Sequence, residues 1–191
     1  MRERGCVVWM TGLPSGGKTT LATMLEAALL AQGRRVERLD GDDLRTHLTK
    51  DLGFSREDRD ENVRRVGWVA RLLARHGVIA ITALVSPYRG ARDEVRAGTA
   101  DFIEVWVKAS LDECIRRDVK GLYKKALAGD IPHFTGVSDP YEPPLQAEVV
   151  VETDRETKTD AVAKILSAMA ERGYVAADAV AVAHGKERRH G

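Results

Sequence analysis

The run Gly12-Leu13-Pro14-Ser15-Gly16-Gly17-Lys18-Thr19-Thr20 fits the spacing G-x-x-x-x-G-K-[ST], a pattern suited to one chemistry. Its glycines let successive backbone N–H groups turn inward around phosphate oxygens, and a helix opening there adds partial positive charge. Lys18 is placed to reach the β- and γ-phosphates, and Thr19 to offer its hydroxyl to Mg²⁺. The flanks agree. Residues 7–10 form a short apolar run that reads as a buried strand, and Leu21, Met24, Leu25, Ala28 and Leu29 recur at helical spacing until Gly33 stops them. The bland alternative is a glycine-rich turn joining a strand to a helix. Full spacing with both flanks favours binding of a nucleoside triphosphate.

A second constellation is acidic. Residues 36–39 read as the next strand, and it runs straight into Asp40-Gly41-Asp42-Asp43. Many triphosphate-binding chains carry a metal-linked aspartate after a later strand. Here that later strand, residues 78–85, ends in Ser86-Pro87-Tyr88-Arg89 without a carboxylate. Asp40 and Asp42, two apart on an extended or turning segment, are expected to share a face. A carboxylate in that place can take the proton of an attacking hydroxyl or hold Mg²⁺ through water. A solvated Asp-Gly turn is the common alternative; the position at a strand's carboxyl end favours function.

Residues 44–76 read as mostly helical, with Val63, Val66, Val69, Ala70 and Leu73 as the apolar stripe. Arg59, Asn62 and Arg65 form a polar stripe on the same helix, and Arg45 lies just before it. Guanidinium groups gathered beside a phosphate site suit an anionic acceptor. Arg64, Arg71 and Arg75 read as an ordinary solvated face.

Further elements follow from the same patterns. Residues 78–85 make a near-continuous apolar strand, 89–98 a helix, 102–107 a strand and 148–151 a last strand. Residues 116–125, strongly basic and broken by Gly121, read as part of a lid over about 116–136 that closes on phosphates. Residues 131–144, rich in Pro, Gly and Asp, form a loop that carries Phe134 and Tyr141. Thr157 and Asp160 resemble a capping box that opens a final helix. From Ala176 the pattern fades into a tail. Alternating strands and helices predict an α/β fold with three layers, a mostly parallel sheet with helices on both faces and a mobile lid. One domain over 1–175 and a flexible tail over 176–191 account for the 191 residues.

Bulk properties exclude some partners. With 30 basic and 29 acidic side chains, the chain has no bulk attraction for nucleic acid or membrane. Cys6 and Cys114 read as buried thiols in a reducing cytosol, without the spacing of a metal pair. No signal peptide or membrane span is visible, and a soluble cytoplasmic protein is expected.

The motifs taken together resemble the adenylyl-sulfate kinase family from about residue 5 to residue 172. They are the phosphate loop, Leu39-Asp40-Gly41-Asp42, Asp51-Leu52-Gly53-Phe54-Ser55, Asp58-Arg59-x-Glu61-Asn62-x-x-Arg65, and Ser86-Pro87-Tyr88-Arg89. Further along come Lys120-Gly121-Leu122-Tyr123-Lys124-Lys125-Ala126, Phe134-Thr135-Gly136 and Asp139-Pro140-Tyr141-Glu142. The resemblance implies a P-loop kinase fold, ATP as co-substrate, Mg²⁺, and transfer of the γ-phosphoryl group to the 3′-hydroxyl of adenylyl sulfate. It implies that Arg45, Arg59 and Asn62 hold the sulfate nucleotide, that Lys120 and Leu122 help to close the site, and that Phe54 and Phe134 sandwich its adenine. Asp42 is expected to steer or deprotonate the 3′-hydroxyl, with Asp40 supporting the metal beside Thr19. The family marks the position of Ser86 as a phosphorylated intermediate; direct in-line transfer, with Ser86 as a hydrogen-bonding group, is the reading preferred here. A homodimer is also implied. Departures from the family pattern fall at Pro14 and Ser15, Asp43, Ala83-Leu84 and Val119. Those at Asp43 and Leu84 motivate an alternative, a kinase of the same fold acting on another small nucleoside-like or hydroxyl acceptor. Retained Lys18, Thr19 and Asp42 argue against a non-catalytic nucleotide-binding regulator.

Overall fold

Alternation along one strand sets the layers. In the computed structural model, which describes residues 4–176, β1 (Cys6–Thr11) is buried along its whole length. It lies at the centre of a parallel five-stranded sheet of order β2-β3-β1-β4-β5. The other strands are β2 (Val36–Asp40), β3 (Ile79–Ala83), β4 (Phe102–Lys108) and β5 (Val149–Glu152). Cys6, Val8 and Met10 project into the core shared with α1 (Lys18–Leu30) and α7 (Lys158–Glu171). Val7 and Trp9 project the other way, into the core shared with α2 (Gly41–His47), α3 (Arg56–Arg75) and α4 (Arg89–Ala97). Covered on both faces, β1 and β3 are apolar but for Thr11 and Thr82, which is why their sequence shows no polar alternation.

The order puts β3 and β4 on opposite sides of β1. The chain therefore switches direction beside β1, and the crevice beyond the carboxyl ends of the strands opens there. The phosphate loop, the end of β2 and the end of β3 all meet at that rim.

Helix ends are specified locally. Thr157 Oγ1 accepts from the Asp160 amide at 3.1 Å and donates to its carboxylate at 2.7 Å, the reciprocal cap that the sequence predicts. Residues 44–76 are not one helical stretch. Gly53 and its neighbours form a turn between α2 and α3, and Ser55 restarts the helix by capping the Asp58 amide at 3.1 Å. Of Asp40 and Asp42, only the first lies on extended chain, as the last residue of β2. Asp40 is the N-cap of α2, its Oδ1 accepting from the Asp42 amide at 3.1 Å, so Asp42 stands in the first helical turn.

The basic segment is ordered into the end of α5 (Leu111–Arg117) and α6 (Leu122–Leu127). Cys114, Tyr123, Ala126 and Phe134 pack there as a separate small core. Cys6 and Cys114 are both buried free thiols. No helix among the described residues is long and apolar enough to cross a membrane. The tail expected from Ala176 onward lies, apart from Ala176 itself, outside the described residues.

Candidate active site

Glycine sets the path of the phosphate loop. A Cβ at Gly12 would stand 2.3 Å from the Val107 carbonyl oxygen, so the loop can lie against β4 only with glycine there. Gly17, at φ 101°, caps α1 without a side chain, and the first turn of α1 holds no acidic residue. Its amides are left for an anion. Lys18 folds back to donate to the Gly12 and Leu13 carbonyls at 3.0 and 2.7 Å. Burial pushes its ammonium down to about 8, so the free loop loses its cation as pH rises past that value.

Thr19 Oγ1 donates to Asp40 Oδ2 at 2.9 Å, and Arg38 adds a longer contact of 3.3 Å to the same oxygen. The pair is a compact set of hard oxygens at the start of α1. Such a set, with waters and substrate phosphates completing it, suits Mg²⁺ rather than a metal caged wholly by protein. Among the described residues no cluster of three or more acidic, His or Cys ligands competes with it. Asp42 lines the same cavity as this pair, and its carboxylate is bonded to the Lys120 ammonium.

A cavity of about 1180 Å³ joins these groups. On one side it reaches Arg45, Phe54, Arg59, Asn62 and Phe134, together with Lys120 and Leu122. Arg45 lies 4.4 Å over the Phe54 ring and donates to the Leu52 and Gly53 carbonyls at 2.9 and 2.6 Å. Arg59 donates to the carbonyls of Phe54, at 3.0 Å, and His133, at 2.5 Å. Both guanidinium groups are therefore fixed by backbone and hold the Phe54 segment against the Phe134 loop. Burial lowers the pKa of each from its ordinary value, and for Arg45 the charge of Arg59 lowers it further. An anion would relieve both effects. Asn62 Oδ1 and Thr135 Oγ1 are buried on this wall without a hydrogen-bond partner among the described residues.

The two phenylalanines are not equivalent. Phe54 is 57% exposed, whereas Phe134 is 7% exposed and packs edge-on against Tyr123 at 5.0 Å. Phe134 is thus a core residue with one side on the cavity. Arg65 does not belong to the site. It is bound to Asp51 at 2.8 Å and to Glu61 at 2.9 Å, outside the cavity lining. Arg64 pairs with Glu94 at 2.8 Å, as the solvated reading expects. Asp43 also lies off the cavity, while Leu84 and Val119 line it.

The opposite wall was not foreseen. Arg117 donates to Glu113 at 2.7 Å and to Thr153 at 3.1 Å (Oγ1) and 2.7 Å (carbonyl), and Thr153 Oγ1 donates to the Gly16 carbonyl at 2.9 Å. This chain of bonds fastens a planar guanidinium beside the phosphate loop. The available signal was the Thr153-Asp154 turn at the carboxyl end of β5, where ligands gather in such sheets.

Ser86 follows β3 by three residues, is 4% exposed and lines the same cavity as Asp42 and Lys18. Its φ of 38° is in the left-handed region, which side chains occupy at a cost of about 1–3 kcal/mol where the surroundings enforce it. Trp9 Nε1 donates to its Oγ at 3.2 Å.

Comparison with known proteins gives these features a family. Residues 4–152 match the model of the Adenylylsulphate kinase family. The adenylyl-sulfate kinase of Microcystis aeruginosa is 54% identical over 175 residues, 92% of this chain and 97% of that one. The APS kinase of Mycobacterium tuberculosis, solved in complex with AMPPNP and APS, superposes with a TM-score of 0.83 at 41% identity, covering 87% of this chain and 98% of that chain. A hexameric APS kinase from Thiobacillus denitrificans gives a TM-score of 0.69 at 35% identity, over 91% of this chain and 30% of that one. With the loop, the acidic pair and the sheet order all in place, the chain belongs to the adenylylsulphate kinase family of phosphotransferases.

Proposed function

We propose that the chain transfers the γ-phosphoryl group of ATP to the 3′-hydroxyl of adenylyl sulfate, giving 3′-phosphoadenylyl sulfate and ADP. One observation carries the placement of the acceptor: Arg45, Arg59 and Asn62 line the same cavity as Lys18 and Asp42. An acceptor nucleotide would lie along Asn62 while Arg45 and Arg59 meet its anionic group. Its base lies between Phe54 and Phe134, since aromatic faces hold a purine at low entropic cost. On the other wall, ATP lays its phosphates in the loop from Gly12 to Thr20, with its base beside Arg117.

Asp42 takes the 3′-hydroxyl proton as the oxygen attacks, and Lys18 stabilises charge on the transferring group. Thr19 and Asp40 would hold Mg²⁺, partly through water, and that ion would supply positive charge to the triphosphate. Lys120 leaves Asp42 when the acceptor enters and turns to its anionic end, with Leu122 closing behind it. Nothing in this arrangement needs a phosphate on Ser86, so transfer is direct and in line.

Asp43 faces away from the cavity, which removes one of the two departures behind a different acceptor. The buried thiols fit the cytoplasm as its setting, and a homodimer is the assembly we expect. Coupled assay of ADP release with adenylyl sulfate and Mg²⁺, with product identified as the 3′-phosphate by ³¹P NMR, tests the reading. ADP release no faster than basal ATP hydrolysis would refute it.

A further inference from the structure

Arg92 is 1% exposed, the largest fully buried charged side chain among the described residues, and lies outside the cavity lining. A buried guanidinium must be fully bonded to be tolerated. Its Nε donates to Glu104 Oε1 at 2.9 Å, on β4. Its Nη1 donates to the Ser86 carbonyl at 2.6 Å, and Nη2 to the Glu142 carbonyl at 2.6 Å. Glu104 is itself held, by Arg96 at 3.0 Å, and its amide donates to Glu148 at 2.7 Å. One planar fork thus ties the end of β3, the middle of β4 and the loop at residue 142.

The same peptide is gripped from the other side. Thr11 Oγ1 donates to the Val85 carbonyl at 2.8 Å and lies 3.4 Å from that of Ser86. Tyr141 hydroxyl is 3.1 Å from Thr11 Oγ1, and the Tyr141 ring lies 5.8 Å from the Arg92 guanidinium. Thr11 is the residue just before Gly12, so the grip on Ser86 is continuous with the phosphate loop. These bonds hold the backbone of Ser86 at its positive φ. Trp9 Nε1 then takes one lone pair of Ser86 Oγ at 3.2 Å. With that lone pair committed, and no acceptor for the hydroxyl proton among the described residues, the hydroxyl of this cavity-lining residue is left to donate to a ligand.

We propose that Arg92 is a positioning residue which, with Trp9, clamps Ser86 so that its hydroxyl is a fixed donor to an oxygen of the reacting group between Lys18 and Asp42. A donor fixed in advance is aimed at charge that develops during transfer, so its effect falls on kcat more than on substrate binding. Arg92 lies behind the wall and touches neither substrate. The inference rests on the acceptor-side reading above.

The test is a double-mutant cycle in steady-state kinetics, with Ser86→Ala, Trp9→Phe and Arg92→Lys alone and in pairs with Ser86→Ala. Each single variant is expected to lower kcat about tenfold or more, with the KM for ATP changed less than about twofold. Once Ser86 is alanine, Trp9→Phe and Arg92→Lys should cost little further, because they act through the lost hydroxyl. Should Arg92→Lys not fold, Trp9→Phe keeps the ring and deletes only the N–H, and carries the same test. Additive losses, an unchanged kcat in Ser86→Ala, or a phosphate trapped on Ser86 by mass spectrometry would overturn the proposal. Failure of the acceptor-side reading would look different: Phe54→Leu would then leave the acceptor KM unchanged.

Discussion

The Lys120 ammonium is bonded to the Asp42 carboxylate across 78 residues of sequence, joining the turn between α5 and α6 to the start of α2. Both side chains are more than half exposed, so the pair adds little to stability. Its effect is on the acceptor. In the proposed reaction Asp42 receives the 3′-hydroxyl proton, so Lys120 has to release that carboxylate as the acceptor binds. Asp42→Ala should lower turnover about 10²–10⁴-fold while ATP affinity, measured by calorimetry, stays nearly unchanged. Lys120→Ala should raise the KM for adenylyl sulfate about tenfold with a smaller effect on ATP, the size expected for one charge-assisted contact. Turnover that survives Asp42→Ala would remove Asp42 from the chemistry.

Lys18 gives the site a pH dependence whose sign can be worked out. Burial lowers its pKa from 10.5 to about 8 in the free chain. A bound triphosphate needs the charged form, so ATP affinity should fall as pH rises above about 8, and binding there should take up a proton. Calorimetry in buffers of different ionisation heat measures that proton directly. For stability the sign is opposite. Between about 8 and 10.5 the unfolded chain binds more protons than the folded one, so this residue makes the free fold more stable as pH rises through that window. Lys18→Met should flatten that contribution and lower turnover about 10²-fold or more.

Phe54 is open to solvent and rests on two guanidinium groups, which is an arrangement for receiving a flat ring rather than for supporting the fold. Phe54→Leu should raise the KM for adenylyl sulfate about 5–100-fold, the value of one aromatic stack on a base, and leave the unfolding midpoint nearly unchanged. Phe134→Leu differs. It removes the contact with Tyr123 as well, so a loss of about 1 kcal/mol or more in stability should accompany the acceptor defect.

Arg117 provides the opposite control. Tied to Glu113, Thr153 and through Thr153 to the phosphate loop, it stands on the wall proposed for ATP. Arg117→Ala should raise the KM for ATP about tenfold and leave that for adenylyl sulfate within about twofold. A larger effect on the acceptor than on ATP would mean that the two walls have been exchanged.

Much of this was legible because it is local. The phosphate loop announces itself by glycine spacing, the central strands by unbroken apolar runs, and α7 by the Thr157–Asp160 cap. Asp40 and Asp42 could be placed from the end of β2 alone. Long-range bonds were not legible. Nothing in the spacing of Arg59, Asn62 and Arg65 tells that Asp51 and Glu61 hold the last of them outside the cavity. The burial of Phe134 depends on Tyr123, which approaches it from α6. Arg92 reads as one more basic residue on an amphipathic helix until the partners on β4 and the loop at residue 142 are seen. The turn between α2 and α3 was legible and overlooked: Ser55 with Asp58 three residues on is a helix start.

The central claim is that the 3′-hydroxyl of adenylyl sulfate is presented to Asp42 across the phosphate loop. A crystal structure of the chain with ADP, Mg²⁺ and adenylyl sulfate tests it most directly. The expected result places the acceptor base between Phe54 and Phe134 and its 3′-oxygen about 2.6–3.2 Å from the Asp42 carboxylate, with Lys120 displaced. A base bound elsewhere, or a 3′-oxygen out of reach of Asp42 in a closed site, would contradict it.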